Sequence, residues 1–195
     1  MEKKILLLLA EGFETYEAAV FIDVMGWNLI YGDKSTGLST CSLRGKVKST
    51  FNLSVETDFT VNDIDIDEYE ALAIPGGFES YGFYSDAYNE DFLRLIQDFH
   101  IKGKIIASIC VAALPVARSG ILKNKRGTTY NLMGGNRQEQ LKSYGVDLIH
   151  EPIVCSDNII TSWNPSTAVD VAFLLLEKLT SKRQTDEIRK IMGFT

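Results

Sequence analysis

The sequence predicts an α/β fold in which a mainly parallel sheet is sandwiched between helices, and three observations carry that reading. First, KILLLL (4–9), EALAI (70–74) and KIIASI (104–109) are short apolar runs of strand length, as expected of strands covered on both faces. Second, each run is followed by helical periodicity, the alternation that builds a parallel sheet. Third, 195 residues, of which 45% are apolar and 24% charged, suit one globular domain with one core.

The elements follow in order. After the strand at 4–9, Thr15 is placed to cap a helix over YEAAVFIDVMGW, which is apolar on nearly all sides and is therefore expected to be largely buried. Between Asn28 and Asp67, the segments LSTCSL, KVKSTF and LSVETDF read as small strands, one pair of them a hairpin. The strand at 70–74 ends at Pro75-Gly76-Gly77 in a tight turn. Ser85 and Asp86 are expected to open a helix whose inner face is Phe92, Leu95, Ile96 and Phe99, spaced i, i+3, i+4 and i+7 and closed by Gly103. The strand at 104–109 runs into a helix from about Val111 to Arg118.

In the last third, TTYNL reads as a strand, NRQEQLKSY as a surface helix, and VDLIH and NIITS as strands. Asn164-Pro165 starts a long helix, with Asn as cap and Pro at the first helical position; Ala168, Ala172, Leu175, Leu176 and Leu179 share one face. TDEIRKIMGF forms a short final helix. The sequence contains no repeat, low-complexity stretch or linker, so residues 1–195 are read as a single domain.

Charge narrows the range of functions. A net charge of −6, with acidic residues concentrated in NDIDIDEYE, repels a phosphate backbone, and nucleic acid is not an expected partner. The N-terminal apolar run stops at Ala10 without a cleavage site, and nothing approaches a membrane span; a cytoplasmic protein with no membrane partner is expected. Cys41, Cys110 and Cys155 are odd in number and lack paired C-x-x-C spacing, so neither a disulfide scaffold nor a metal site is expected, and no cofactor.

Chemistry is expected where strands end, since ligands of open parallel sheets bind beyond the carboxyl ends. Three places qualify: AEGFETYE, PGGFE and the residues around Cys110. A cysteine at a direct strand-to-helix step has backbone N–H groups aimed at its sulfur, an arrangement that lowers a thiol pKa and exposes a nucleophile. Cysteine is also a frequent space-filler in cores, and locally the two readings stand level. Gly76 and Gly77 let backbone approach a substrate and offer N–H groups as an oxyanion hole, although most such pairs are merely turns. Glu17, in the first turn of its helix, either shares a proton with Cys110 or simply satisfies the helix dipole.

AEGFETYE, IPGGF, ASIC, a TT dipeptide and TSWNPST, in this order along essentially the whole chain, resemble the ThiJ/PfpI superfamily, a group that includes a parkinsonism-associated deglycase. The resemblance implies a flavodoxin-like three-layer sandwich of the class I glutamine amidotransferase type, with Cys110 on a strained elbow and a partly protonated Glu17 beside it. It implies oxyanion donors at Gly77 and the Val111 amide, alongside Gly76, and homodimers with the site near the interface. One departure concerns chemistry: where many members carry histidine after the TT dipeptide, this chain has Tyr130, which is no general base at neutral pH. His100 and His150 match no catalytic position of the family. Ala112 and Val111 after the cysteine are bulkier than the family's small residues and narrow the pocket.

Protease or amidase activity is therefore not expected, because it needs a base to activate the thiol and protonate the leaving amine. Glyoxalase, deglycase or hydratase chemistry on a small carbonyl compound asks less: Cys110 adds to the carbonyl, amides hold the oxyanion and Glu17 moves protons. The alternatives are a non-enzymatic oxidative-stress sensor or redox-regulated chaperone built on Cys110, and a binding protein with Phe78, Tyr81, Tyr130 and Trp163 lining a pocket.

Overall fold

The computed structural model describes residues 2–194. The three apolar runs become adjacent parallel strands at the centre of one sheet: β1 (Lys3–Leu8), β6 (Ala71–Ile74) and β7 (Ile105–Ser108). β2 (Thr36–Ser42) and β5 (Phe59–Thr60) extend the sheet beyond β1, and β11 (Ile159–Ser162) and β10 (Ile153–Ser156) extend it beyond β7. The order is β10-β11-β7-β6-β1-β2-β5, parallel throughout except for the β10–β11 pair. The hairpin β3 (Lys46–Lys48) with β4 (Ser54–Glu56) stands outside it, as does the short pair β8 (Arg126–Gly127) with β9 (Asp147–Leu148).

Helices cover both faces. On one lie α1 (Thr15–Tyr31), α6 (Ala168–Leu179) and α7 (Lys182–Ile191), packed on one another. On the other lie α2 (Phe83–Ala87), α3 (Glu90–Ile101), α4 (Ala113–Arg118) and α5 (Asn136–Ser143). Leu6, Leu8, Leu72, Ile74, Ile106 and Ala107 are fully enclosed, which is why the central strands read as continuous apolar runs rather than alternating ones. Phe92, Leu95, Ile96 and Phe99 form the inner face of α3, and Val171, Ala172, Leu175 and Leu176 that of α6.

Several local expectations are corrected. Glu14, not Thr15, occupies the cap of α1. That helix is not buried all round: Ile22, Leu29, Ile30 and Tyr31 are exposed, because the sheet, α6 and α7 cover only the opposite side. The helix expected from Ser85 and Asp86 is divided, and Asn89 caps α3 by accepting from the Asp91 N–H at 2.9 Å. Asp86 is instead drawn inward, accepting from Arg44 at 2.8 and 2.7 Å and from the Glu11 N–H at 2.9 Å. The TTYNL segment is not a strand. Thr128 donates its N–H to Thr161 Oγ1 and Thr129 donates its hydroxyl to the Cys110 carbonyl, so side-chain bonds replace a ladder. Strand β10 had no clear sequence signal, and α7 begins earlier than expected, at the Ser181 cap.

Phe99→Ala tests the core. Phe99 is fully enclosed between α3 and the sheet, and its truncation should cost about 3–5 kcal/mol of stability. Ile101→Ala on the same helix, 78% exposed, should change stability by less than about 0.5 kcal/mol. Denaturant midpoints at constant slope check both.

Candidate functional site

Because β1, β6 and β7 are neighbours in the sheet, their carboxyl ends bring three loops together. The first follows β1 and turns at Gly12, whose φ of +68° and close approach to the Tyr81 carbonyl leave no room for a Cβ. Its carbonyl accepts from Thr50 Oγ1 at 2.7 Å and from the Phe78 N–H at 3.0 Å, while the Glu14 N–H donates to the Gly76 carbonyl at 2.8 Å. These bonds lock the start of α1 to the loop after β6 and point Glu17 inward.

The third loop is the step from β7 into the one-turn 3₁₀ helix Cys110–Ala112 and then α4. Cys110 sits at φ +58°, a left-handed conformation that costs an ordinary residue roughly 1–2 kcal/mol. The surroundings hold it there: Ile109 donates its N–H to the Ile74 carbonyl, Ala112 donates back to Ile109, and Thr129 Oγ1 donates to the Cys110 carbonyl at 2.9 Å. The TT dipeptide thus anchors the elbow.

Glu17 is wholly enclosed and Cys110 is 8% exposed, and both face one cleft. Glu17 Oε2 accepts the Gly76 N–H at 2.7 Å, and Oε1 has no hydrogen-bond partner. A Cβ at position 76 would lie 2.9 Å from Glu17 Oε2 and 3.0 Å from both Cys110 Cβ and the Ile109 carbonyl oxygen, so a side chain there would crowd the Glu17 carboxyl against the elbow. Burial lifts the Glu17 carboxyl to about 8, the Gly76 N–H opposing and the Glu14 charge assisting. Burial also pushes the Cys110 thiol well up, and the charge of Glu17 pushes it further; the Val111 N–H opposes both. The turn therefore does not deliver the lowered thiol pKa its backbone suggests, because desolvation outweighs one N–H donor. Each group thus affects the acidity of the other: the Glu17 charge raises the thiol, and the Cys110 side chain slightly lowers the carboxyl.

The cleft encloses about 730 Å³. Gly77, Phe78, Val111 and Tyr130 line it as expected. Gly76 does not offer its N–H, which Glu17 already holds. Trp163 forms no part of the wall; its neighbours Asn164, Pro165 and Ser166 do, and its indole N–H is buried without a partner. Among the described residues no histidine lines the cleft: His100 ends α3 and His150 is exposed. Sequence reasoning missed Glu14, Glu79, Tyr84, Asn136 and Arg137, all in the wall. Glu14 and Glu79 lie within the motifs AEGFETYE and PGGFE, a signal that was available; Tyr84 and Arg137 gave none. Among the described residues no cluster of three metal-ligating side chains occurs, and no helix is long and apolar enough to cross a membrane.

Comparison with known proteins bears on the family and the fold. Residues 3–178 match the model of the DJ-1/PfpI family. Protein dj-1beta of Drosophila melanogaster is 27% identical over 197 residues, covering 97% of this chain and 96% of its own. Deglycase PfpI of Pyrococcus furiosus is 28% identical over 122 residues, 63% of this chain and 69% of its own. The crystal structure of Drosophila melanogaster DJ-1beta superposes with a TM-score of 0.87 at 24% identity, covering 100% of both chains. The chain belongs to the DJ-1/PfpI family, and its α/β sandwich is the flavodoxin-like fold expected of it.

The raised Glu17 pKa makes a stability prediction. Between about 4.5 and 8 the folded protein holds a proton on Glu17 that the unfolded chain has released, so stability falls as pH rises through that window. Glu17→Gln removes the effect: relative to wild type it should gain stability with pH, by at most about 1.4 kcal/mol per unit, levelling off above pH 8. Chemical denaturation at stepped pH checks the difference.

Proposed function

We propose that this DJ-1/PfpI family member is a cysteine-dependent enzyme acting on small carbonyl compounds, of glyoxalase or deglycase type. The observation that supports it best is the enclosed Cys110–Glu17 pair across Gly76, facing a cleft large enough for a small substrate. Relatives carrying the name deglycase agree in theme. In this reading Glu17 takes the thiol proton as Cys110 Sγ bonds to an aldehyde carbon, and the carbonyl electron pair passes to oxygen, facing the Gly77 and Val111 amides. Glu17 then returns the proton, giving a hemithioacetal. With a 2-oxoaldehyde, moving the proton from C1 to C2 oxidises one carbon and reduces its neighbour, and water releases the resulting thioester as a 2-hydroxy acid. Tyr130 contributes a cleft wall rather than a base, so the proton transfers fall to the carboxyl group.

Methylglyoxal conversion to lactate should be measurable and should be abolished in Cys110→Ser and Glu17→Ala. Alkylation of Cys110 by iodoacetamide should rise only above the ordinary thiol range, and Glu17→Gln, which removes the carboxylate charge that raises the thiol, should move the inflection downward. Unchanged profiles together with no turnover overturn the reading. The sensor alternative rests on the same geometry, since a protonated Glu17 and the Val111 N–H would hold an oxygen of an oxidised sulfur. Its mark would be absent turnover with Cys110 oxidised by mild peroxide ahead of Cys41 and Cys155.

We further propose that the exposed apolar side of α1 meets a second copy of the chain, supported by Ile22, Leu29, Ile30 and Tyr31 standing uncovered. Sedimentation should report a dimer, which Ile30→Glu shifts to monomer.

A further inference from the structure

We infer that the cleft selects carbonyl compounds that also carry a carboxylate, and that Arg137 is the specificity-determining residue that receives it; this rests on the reading that Cys110 attacks a carbonyl. Arg137 is the one cation among the described residues of the cleft wall. Its guanidinium lies over the Tyr84 ring at 4.9 Å, donates from Nη1 to Gln140 Oε1 at 3.1 Å, and pairs through Nη2 with Glu79 at 2.5 Å. A planar fork held on an aromatic face is pre-placed for bidentate recognition of a carboxylate. Glu79 is its present partner, but that side chain is 68% exposed, and such a pair is weak enough to exchange for a substrate anion.

The backbone points the same way. Met133, Gly134 and Gly135 have successive positive φ values of 52°, 88° and 71°, and Gly135 precedes α5 without a side-chain cap. The first amides of α5 are thus left uncapped where Asn136 and Arg137 enter the cleft, a polarity suited to an anion. At the other end, Glu17 Oε1 is fully buried in the same cleft with no partner, the group that would meet the carbonyl end of such a ligand. Two acidic neighbours must be weighed. Glu14 keeps its place in the wall, and Glu79 must swing further into solvent, where it is already 68% exposed, to release Arg137.

Glyoxylate is the simplest probe. Cys110 Sγ bonds to its aldehyde carbon, the π electrons go to oxygen, and the thiol proton reaches that oxygen through Glu17; no oxidant or reductant is needed. On the full chain, Cys110 alkylation by anionic iodoacetate and neutral iodoacetamide is followed by peptide mass spectrometry, with glyoxylate or methylglyoxal as protectant. Arg137→Gln should lower the iodoacetate-to-iodoacetamide rate ratio roughly fivefold, the worth of one partly exposed charge pair. Arg137→Lys should lose less. Glyoxylate should protect wild type at lower concentration than methylglyoxal does, and the Gln variant should lose that preference. If rate ratio and protection are unaltered in both variants while thermal unfolding shows them folded, Arg137 does not receive the carboxylate. If Cys110 of wild type reacts with neither reagent, the carbonyl-attack reading falls, and this inference with it.

Discussion

A buried carboxyl group and a buried thiol occupy the space that a side chain at position 76 would fill. That single missing Cβ lets Glu17 and Cys110 meet, and much of the surrounding structure keeps the space open. Gly77 is constrained just as tightly, since a Cβ there would lie 2.3 Å from the Gly12 carbonyl oxygen. The Glu14 N–H closes the arrangement on the Gly76 carbonyl. Removing water from both acids raises both pKa values, so the site keeps its protons until a partner arrives that can use them.

The sheet makes that meeting possible. Parallel strands β1, β6 and β7 deliver their carboxyl ends side by side, and each end carries one part of the pair or its glycine hinge. The strain at Cys110 is over-determined by hydrogen bonds: Thr129 and Ile74, far away in sequence, each hold one backbone group of the elbow, and the Ala112 N–H closes the turn on Ile109. Arg44 and Asp86 do comparable work at the edge, tying the hairpin region to α2 and to the Glu11 amide. Side chains that looked like caps or strand residues are used instead as struts for the site.

Tyr130 fixes what chemistry such a site can perform. No imidazole lines the cleft among the described residues, and the carboxyl groups there have had their acidity reset by burial. Burial brings the Glu17 carboxyl to about 8, within the physiological range, where an ordinary carboxylate with pKa near 4.3 is fully ionised. The polar side of the cleft, built from α5 and the segment after β11, contributes positioning groups rather than a second base.

The sequence by itself determined the layers and the central strands, and singled out Cys110 and Glu17 as candidates. Continuous apolar runs demand cover on both faces, and ASIC, IPGGF and AEGFETYE mark where those strands must end. Local pattern failed where a residue's best partner lies across the chain: Asp86 was read as a helix opener, Thr128 and Thr129 as strand, and Thr15 as a cap. Only the tertiary structure decided that the Gly76 N–H belongs to Glu17, that Trp163 stands outside the cleft, and that Arg137 and Tyr84 stand within it. It also reversed the expected acidity of Cys110. A helix-turn amide is visible in sequence, but desolvation depends on how completely distant segments exclude water, and that is settled only once they have packed.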